Sequence, residues 1–178
     1  MNRRTSSRRR WGLLLAALMA LTTGYRTALA LTGDTTQPID IEANTAEYDD
    51  KTGVSVYRGN VRLIQGSMVL TGDKITITAP GQKLHMIVAE GSKDRLSTFK
   101  MLRDDGEAVY AEAEFMEYDL SKHQILLLRQ AWVEQSGNKI ASDRILYDTV
   151  KETVDAGDVT KGSRVKMTIT PGSTGSEE

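Results

Sequence analysis

The chain has 178 residues, with 23 basic and 24 acidic side chains, two histidines and no cysteine. The lack of cysteine excludes a disulfide framework, a thiol nucleophile and a zinc–thiolate centre. A formal charge of −1 offers no basic surface to a nucleic acid.

The first thirty residues read as an export signal. Arg3, Arg4, Arg8, Arg9 and Arg10 form a basic leader, residues 12–21 an apolar run, and Ala28-Leu29-Ala30 a small-residue cleavage pattern. The apolar run is too short for a comfortable membrane span. Ser7-Arg8-Arg9-Arg10-Trp11 suits a twin-arginine signal and a Sec-type leader alike. Cleavage is expected between Ala30 and Leu31, leaving one domain over residues 31–170 and a flexible tail over 171–178. Six of the 23 basic residues and none of the 24 acidic ones leave with the leader, so 17 face 24, a net charge of −7.

Residues 32–38 are a polar lead-in that ends at Pro38, a residue suited to the start of a strand. Ile39, Ile41 and Ala43 then alternate with Asp40 and Glu42, which predicts a first strand over residues 39–43. Residues 48–53 read as a turn. Residues 54–77 carry short runs of period-two alternation: Val54 with Val56, Val61 with Leu63, Met68 with Leu70, and Ile75 with Ile77. Gly59-Asn60, Gly66-Ser67 and Gly72-Asp73 interrupt these runs and predict turns or bends between short strands. Further strands are expected at 85–88, 96–101, 109–113, 116–120, 125–128, 131–135, 139–141, 145–147 and 165–169. Asp104-Asp105-Gly106 marks a hairpin. Leu126-Leu127-Leu128 suggests a strand buried on both faces. The residues downstream of the leader show no helical periodicity, so the pattern predicts an all-β sandwich, barrel or jelly roll.

The segment 43–77 recurs without a gap, 70 positions on, over 113–147. Glu47-Tyr48-Asp49 falls on Glu117-Tyr118-Asp119, Gln65 on Gln135, and Asp73-Lys74-Ile75 on Asp143-Arg144-Ile145. Such a period implies stacked units sharing one core.

Catalytic constellations are missing from the sequence. His85 and His123 are not in metal-ligand spacing, and no motif asks for a metal or a cofactor. Asp73 and Asp143 read as carboxylates that cap turn N–H groups. Lys83, Lys93, Arg95, Lys100 and Arg103 alternate with acids and read as a solvated mixed face.

Several features carry a resemblance: Thr32-Gly33-Asp34-Thr35-Thr36-Gln37-Pro38-Ile39-Asp40-Ile41-Glu42, Gly59-Asn60-Val61, Gln65-Gly66 and Asp73-Lys74-Ile75. With these the chain resembles the OstA-like family of periplasmic lipopolysaccharide-transport proteins. Arg129-Gln130-Ala131 departs from the Gly-Asn-Ala that the family pattern would place there. The resemblance implies a twisted, partly open antiparallel β-jellyroll, located in the periplasm, that shelters lipid A between two sheets. It also implies inner-membrane and outer-membrane transport components as partners. A soluble OstA-like domain from the same pathway, a ligand-free β-repeat scaffold and a degenerate carbohydrate-active jelly roll are the alternatives.

The alternating positions Ile39, Ile41, Val54, Val56, Val61, Leu63, Met68, Leu70, Ile75 and Ile77 are the candidate lipid path. The resemblance adds Phe99, Tyr118 and Leu120 to it. Ile39 and Ile41 on the first strand, with Val165, Met167 and Ile169 on the last, are candidate edges for head-to-tail self-association. For the leader, N-terminal sequencing of exported material is expected to begin at Leu31, and a full-length, membrane-retained product would refute cleavage.

Overall fold

The computed structural model describes residues 36–158 and 162–170, so the leader, its cleavage site and the tail lie outside the described residues. Twelve strands make one antiparallel sheet: β1 (Ile39–Glu42), β2 (Thr45–Asp49), β3 (Val54–Gln65), β4 (Met68–Thr78), β5 (Met86–Glu90), β6 (Ser97–Leu102), β7 (Ala108–Ala113), β8 (Phe115–Asp119), β9 (Gln124–Gln135), β10 (Asn138–Asp148), β11 (Thr153–Ala156) and β12 (Lys166–Thr168). A 3-10 turn, Pro80–Gln82, follows β4.

The pairing shows four long strands, β3, β4, β9 and β10, each meeting one short strand with one half and another with the other half. β3 pairs with β2 along residues 54–58 and with β1 along 62–65. β4 meets β5 with one half and β6 with the other. β9 meets β8 and then β7, and β10 meets β11 and β12. The bends therefore fall on one line, a crease that divides the sheet into two layers. Layer one holds β2, β5, β8, β11 and the adjoining halves of β3, β4, β9 and β10. Layer two holds β1, β6, β7, β12 and the other halves.

Of the turns or bends expected there, Gly59-Asn60 and Gly72-Asp73 are bends within continuous strands, that is, corners. In β3, Arg58 pairs with Lys74 and Val61 with Gly72, so two residues stand opposite one, as in a bulge. The true reversal is Gly66-Ser67, between Gln65 and Met68. Several expected short strands consequently merge: 125–128 with 131–135 into β9, and 139–141 with 145–147 into β10. Residues 45–49 are strand β2, so the turn expected from residue 48 begins only after Asp49, and β11 has no sequence counterpart among the expected strands.

The seventy-residue repeat governs the geometry. The limits of β2, β3 and β4 coincide with those of β8, β9 and β10 after the shift. Left-handed residues recur in the same way: Gly53 and His123, Gly59 and Arg129, Asn60 and Gln130, Gly66 and Ser136, Gln82 and Glu152. Left-handed backbone costs an ordinary L residue about 1 kcal/mol, so Arg129 and Gln130 need support that Gly59 does not. Glu114 supplies it. Its carboxylate accepts hydrogen bonds from Arg129 Nε (3.2 Å) and Gln130 Nε2 (3.0 Å), and its N–H donates to Arg129 O (3.0 Å). Those bonds, the Gln130 amide first, hold the Glu114 carboxyl below its ordinary pKa. The loops at the outer rim of layer one are held by aspartates. Asp49, Asp119 and Asp148 each accept backbone N–H bonds from the residues two and three positions on.

Candidate apolar interior between the layers

The inner face is built from cross-strand rows that run from the first strand to the last. In layer two, one row passes Ile41, Leu63, Leu70, Phe99, Ala111, Val133, Ile140 and Met167. Layer one contributes the row from Ala46 through Tyr57, Ile75, Ala89, Met116, Leu127 and Ile145 to Ala156. A parallel row passes Tyr48, Ser55, Ile77, Ile87, Tyr118, Ile125, Tyr147 and Val154. The buried members of all three rows belong to one continuous core.

Most of the candidate lipid path lies in this interior. Val61, Leu63, Met68, Leu70, Ile75, Ile77, Phe99 and Tyr118 are buried, and Ile39, Ile41 and Leu120 are partly buried against them. Val54 and Val56 do not join them. The register sets these two opposite Thr78 and Thr76 on the outer face, while Ser55 and Tyr57 turn inward. Even-numbered residues of β3 point outward on both sides of the crease, so Val54 and Val56 share the face of Arg62 rather than that of Leu63. The Leu126-Leu127-Leu128 run is buried on one face only: Leu127 is inside and fully buried, and its neighbours are half-exposed outside.

The rows end open. Met167 is 55% exposed although its partner Ile140 packs on the core, and Val165 and Ile169 flank it, also exposed. At the other end Tyr48 is 63% exposed, whereas Tyr118, its counterpart in the repeat, is 8% exposed. Both tyrosines occupy the same position in a bent strand. β8 has β5 beside it, whereas among the described residues β2 pairs only with β3, and none of them covers Tyr48 as β5 covers Tyr118. Among the described residues β1 pairs only with β3, and β12 only with β10.

The polar candidates have structural partners. Asp73 binds Arg95, which also donates to Asn60 Oδ1 (2.6 Å), so it ties the 91–96 corner to β3 and β4 instead of capping a turn. Asp143 lines an open cavity of about 580 Å³ at the crease with Lys93, Arg129 and Arg144. Lys100 lies over the Tyr110 ring. Arg103 is not a solvated side chain: it is 15% exposed and meets three carboxylates. His85 works through its backbone, which bonds Thr78 and Leu120, and His123 occupies a left-handed turn position. No group of metal-ligating side chains gathers among the described residues.

The fold is a bent antiparallel jellyroll with an apolar interior that runs from edge to edge. Residues 40–153 match the family described as the LptA/(LptD N-terminal domain) LPS transport protein, and the chain belongs to that family. It is 37% identical to the lipopolysaccharide export system protein LptH of Pseudomonas aeruginosa over 142 residues, 80% of each chain. It is 35% identical to LptA of Escherichia coli K12 over 144 residues, covering 81% of this chain and 77% of that one. The crystal structure of LptH, the LptA-homologous periplasmic component of the lipopolysaccharide transport device in P. aeruginosa, superposes with a TM-score of 0.71 at 32% identity. That match covers 78% of this chain and 99% of the other. The chain is a transport protein and not an enzyme. No helix among the described residues is long and apolar enough to cross a membrane.

Tyr147 tests how the interior is packed. Its ring is fully buried, its hydroxyl has no hydrogen-bond partner, and burial, reinforced by Glu152, pushes its pKa up to about 12. An unpartnered buried hydroxyl opposes folding, so Tyr147→Phe is expected to unfold at the same or a higher urea concentration at pH 7. The raised pKa sets a second outcome. An unfolded tyrosine ionises near pH 10 while folded Tyr147 keeps its proton. Wild-type stability is therefore complete below pH 10 and falls as pH climbs towards 12. The variant should lose that part of the alkaline decline and keep the share due to Tyr118, whose pKa is also raised by burial. A clearly destabilised variant at pH 7, or an unchanged alkaline profile, would count against this account.

Proposed function

We propose that this protein carries lipopolysaccharide across the periplasm, sheltering the lipid A acyl chains between its layers, as one link of a bridge between inner-membrane and outer-membrane transport components. The observation that carries the reading is the set of apolar rows that cross every strand and stay open at both ends. A dozen-carbon acyl chain exposed to water costs about 10 kcal/mol, at roughly 0.8 kcal/mol per methylene. Apolar rows offset that cost without directional bonds, so a chain can slide along them between positions of similar energy. Net direction then has to come from an energy source in a partner.

The test of cargo is photo-crosslinking from single positions. A photo-reactive residue at Phe99 or Tyr118, on the inner face, is expected to label lipopolysaccharide. The same residue at Val56 or Arg62, on the outer face, is not. Equal labelling at all four positions, or none at the inner two, would defeat the proposal.

The open ends support a second element, head-to-tail stacking. Among the described residues β1 and β12 each pair on one side only, and Met167, which ends an inner row, is exposed with its neighbours Val165 and Ile169. A second copy whose first strand adds to β12 would extend that row into its own interior. The contact joins different surfaces of the two copies and need not close, so it builds a filament. By light scattering, the wild-type mass should rise with concentration, while Met167→Glu, which puts a charge at the joint, should hold the mass at the monomer. A wild type that stays monomeric at high concentration, or a variant that assembles equally well, would exclude stacking through this end.

A further inference from the structure

Loading a lipid between two packed layers requires them to part somewhere, and the Arg103–Glu152 ion pair ties them together at the rims away from the crease. Arg103 leaves the end of β6 in layer two. Its guanidinium binds the carboxylate of Glu152, which precedes β11 in layer one. Its other partners belong to layer two: Asp105 (3.1 Å) and Glu107 (3.5 Å) on the same turn, and Ser136 Oγ (3.4 Å) on the reversal between β9 and β10.

This distribution is that of a latch. Breaking the Glu152 contact leaves Arg103 paired with two carboxylates and a hydroxyl, so no buried charge is stranded, which is the costly way to open an ion pair. The backbone does not call for an acid at this position either. Gln82, 70 residues earlier, takes the same left-handed conformation (φ 64 against 55) with an uncharged side chain. Beside the contact lies a cavity of about 180 Å³ where Val133 and Ile140 of layer two approach Val154 of layer one, rimmed by Gln135, Ser136 and Asn138. The unpartnered hydroxyl of Tyr147 is buried near Arg103 and Glu152. Ile140 pairs with Met167, so the cavity opens where the interior reaches solvent.

We infer that Arg103 and Glu152 form a clasp that closes the layers over the second repeat, and that acyl chains pass in and out beside it, between Ile140 and Val154, when it parts. The inference rests on the proposed function for the identity of the cargo, but the opening itself can be read without that cargo.

The experiment follows uptake of the apolar dye N-phenyl-1-naphthylamine and, separately, of lipopolysaccharide by the purified protein. Glu152→Gln should take up dye severalfold faster than wild type, while Glu107→Gln, which alters a contact within layer two only, should match wild type. The chain has no cysteine, so Arg103→Cys with Glu152→Cys can be bridged by a short bismaleimide. Unbridged, this double variant should load fast, and once bridged it should load severalfold more slowly. Equal dye uptake by wild type, Glu152→Gln and the bridged protein overturns the clasp. Dye uptake that follows the clasp while no variant takes up lipopolysaccharide upholds the clasp and overturns the cargo.

Discussion

Four long strands have to turn a corner on the same line without losing their ladder, and the rest of the structure depends on that. If one strand bent alone, the neighbouring N–H and C=O groups would be left unpaired inside the sheet, each a cost of about 1–3 kcal/mol. The corners are instead bonded to each other. Asn44 donates to Arg58 and Gly59, Gly91 to Glu114, Glu114 to Arg129, and Gly157 to Arg144. Where chains approach most closely only glycine fits: a Cβ at Gly91 would lie 2.5 Å from Arg95 O and 2.6 Å from Ser97 N. Glycine is not the sole solution, however. The second repeat makes the same corner with Arg129 and Gln130 and stabilises it with the Glu114 carboxylate and the Phe115 ring beneath the guanidinium.

Because the corners are aligned, the inward side chains of neighbouring strands are aligned too. A one-residue slip in any strand would send its apolar set to the outer face and interrupt every row. The crease therefore does two things at once. It brings two half-sheets face to face, and it keeps the apolar rows continuous from β1 to β12. For a carrier, continuity matters more than any single contact. A deep specific pocket would hold a chain in place, whereas a row of similar aliphatic and aromatic side chains offers no preferred stopping point.

The repeat and the alternation were legible in the sequence because both are local. They located most of the strands and much of the interior, from Val61 to Ile77, and the family resemblance added Phe99 and Tyr118. What failed was whatever depends on long-range register. Composition marks Gly59-Asn60 and Gly72-Asp73 as turns or bends alike, and only the partner strand shows that both are bends within a strand. Val54 and Val56 alternate as cleanly as Val61 and Leu63, yet their frame within β3 puts them outside. Arg103 reads as solvated because its basic set alternates with Glu90, Asp94, Asp104 and Asp105 in the chain, while the partner that decides its role, Glu152, is 49 residues away.

Tyr48 and Tyr118 carry the argument one step further. They are equivalent by sequence, by strand and by facing, and they differ only in having a neighbour. A seventy-residue unit of this kind does not cover its own first strand; the preceding unit does. Among the described residues β8 is covered in this way by β5, while β2 has no such neighbour. The last strand shows the complementary deficit, with Met167 exposed beside a packed Ile140. Each end thus lacks a neighbour of the kind that covers the interior strands of the same chain. A solenoid that ended its core would place polar or charged residues on these faces. Here the first strand shows a tyrosine and the last a valine, a methionine and an isoleucine. The proposed stacking asks of a second copy only what the second half of this chain already does for the first.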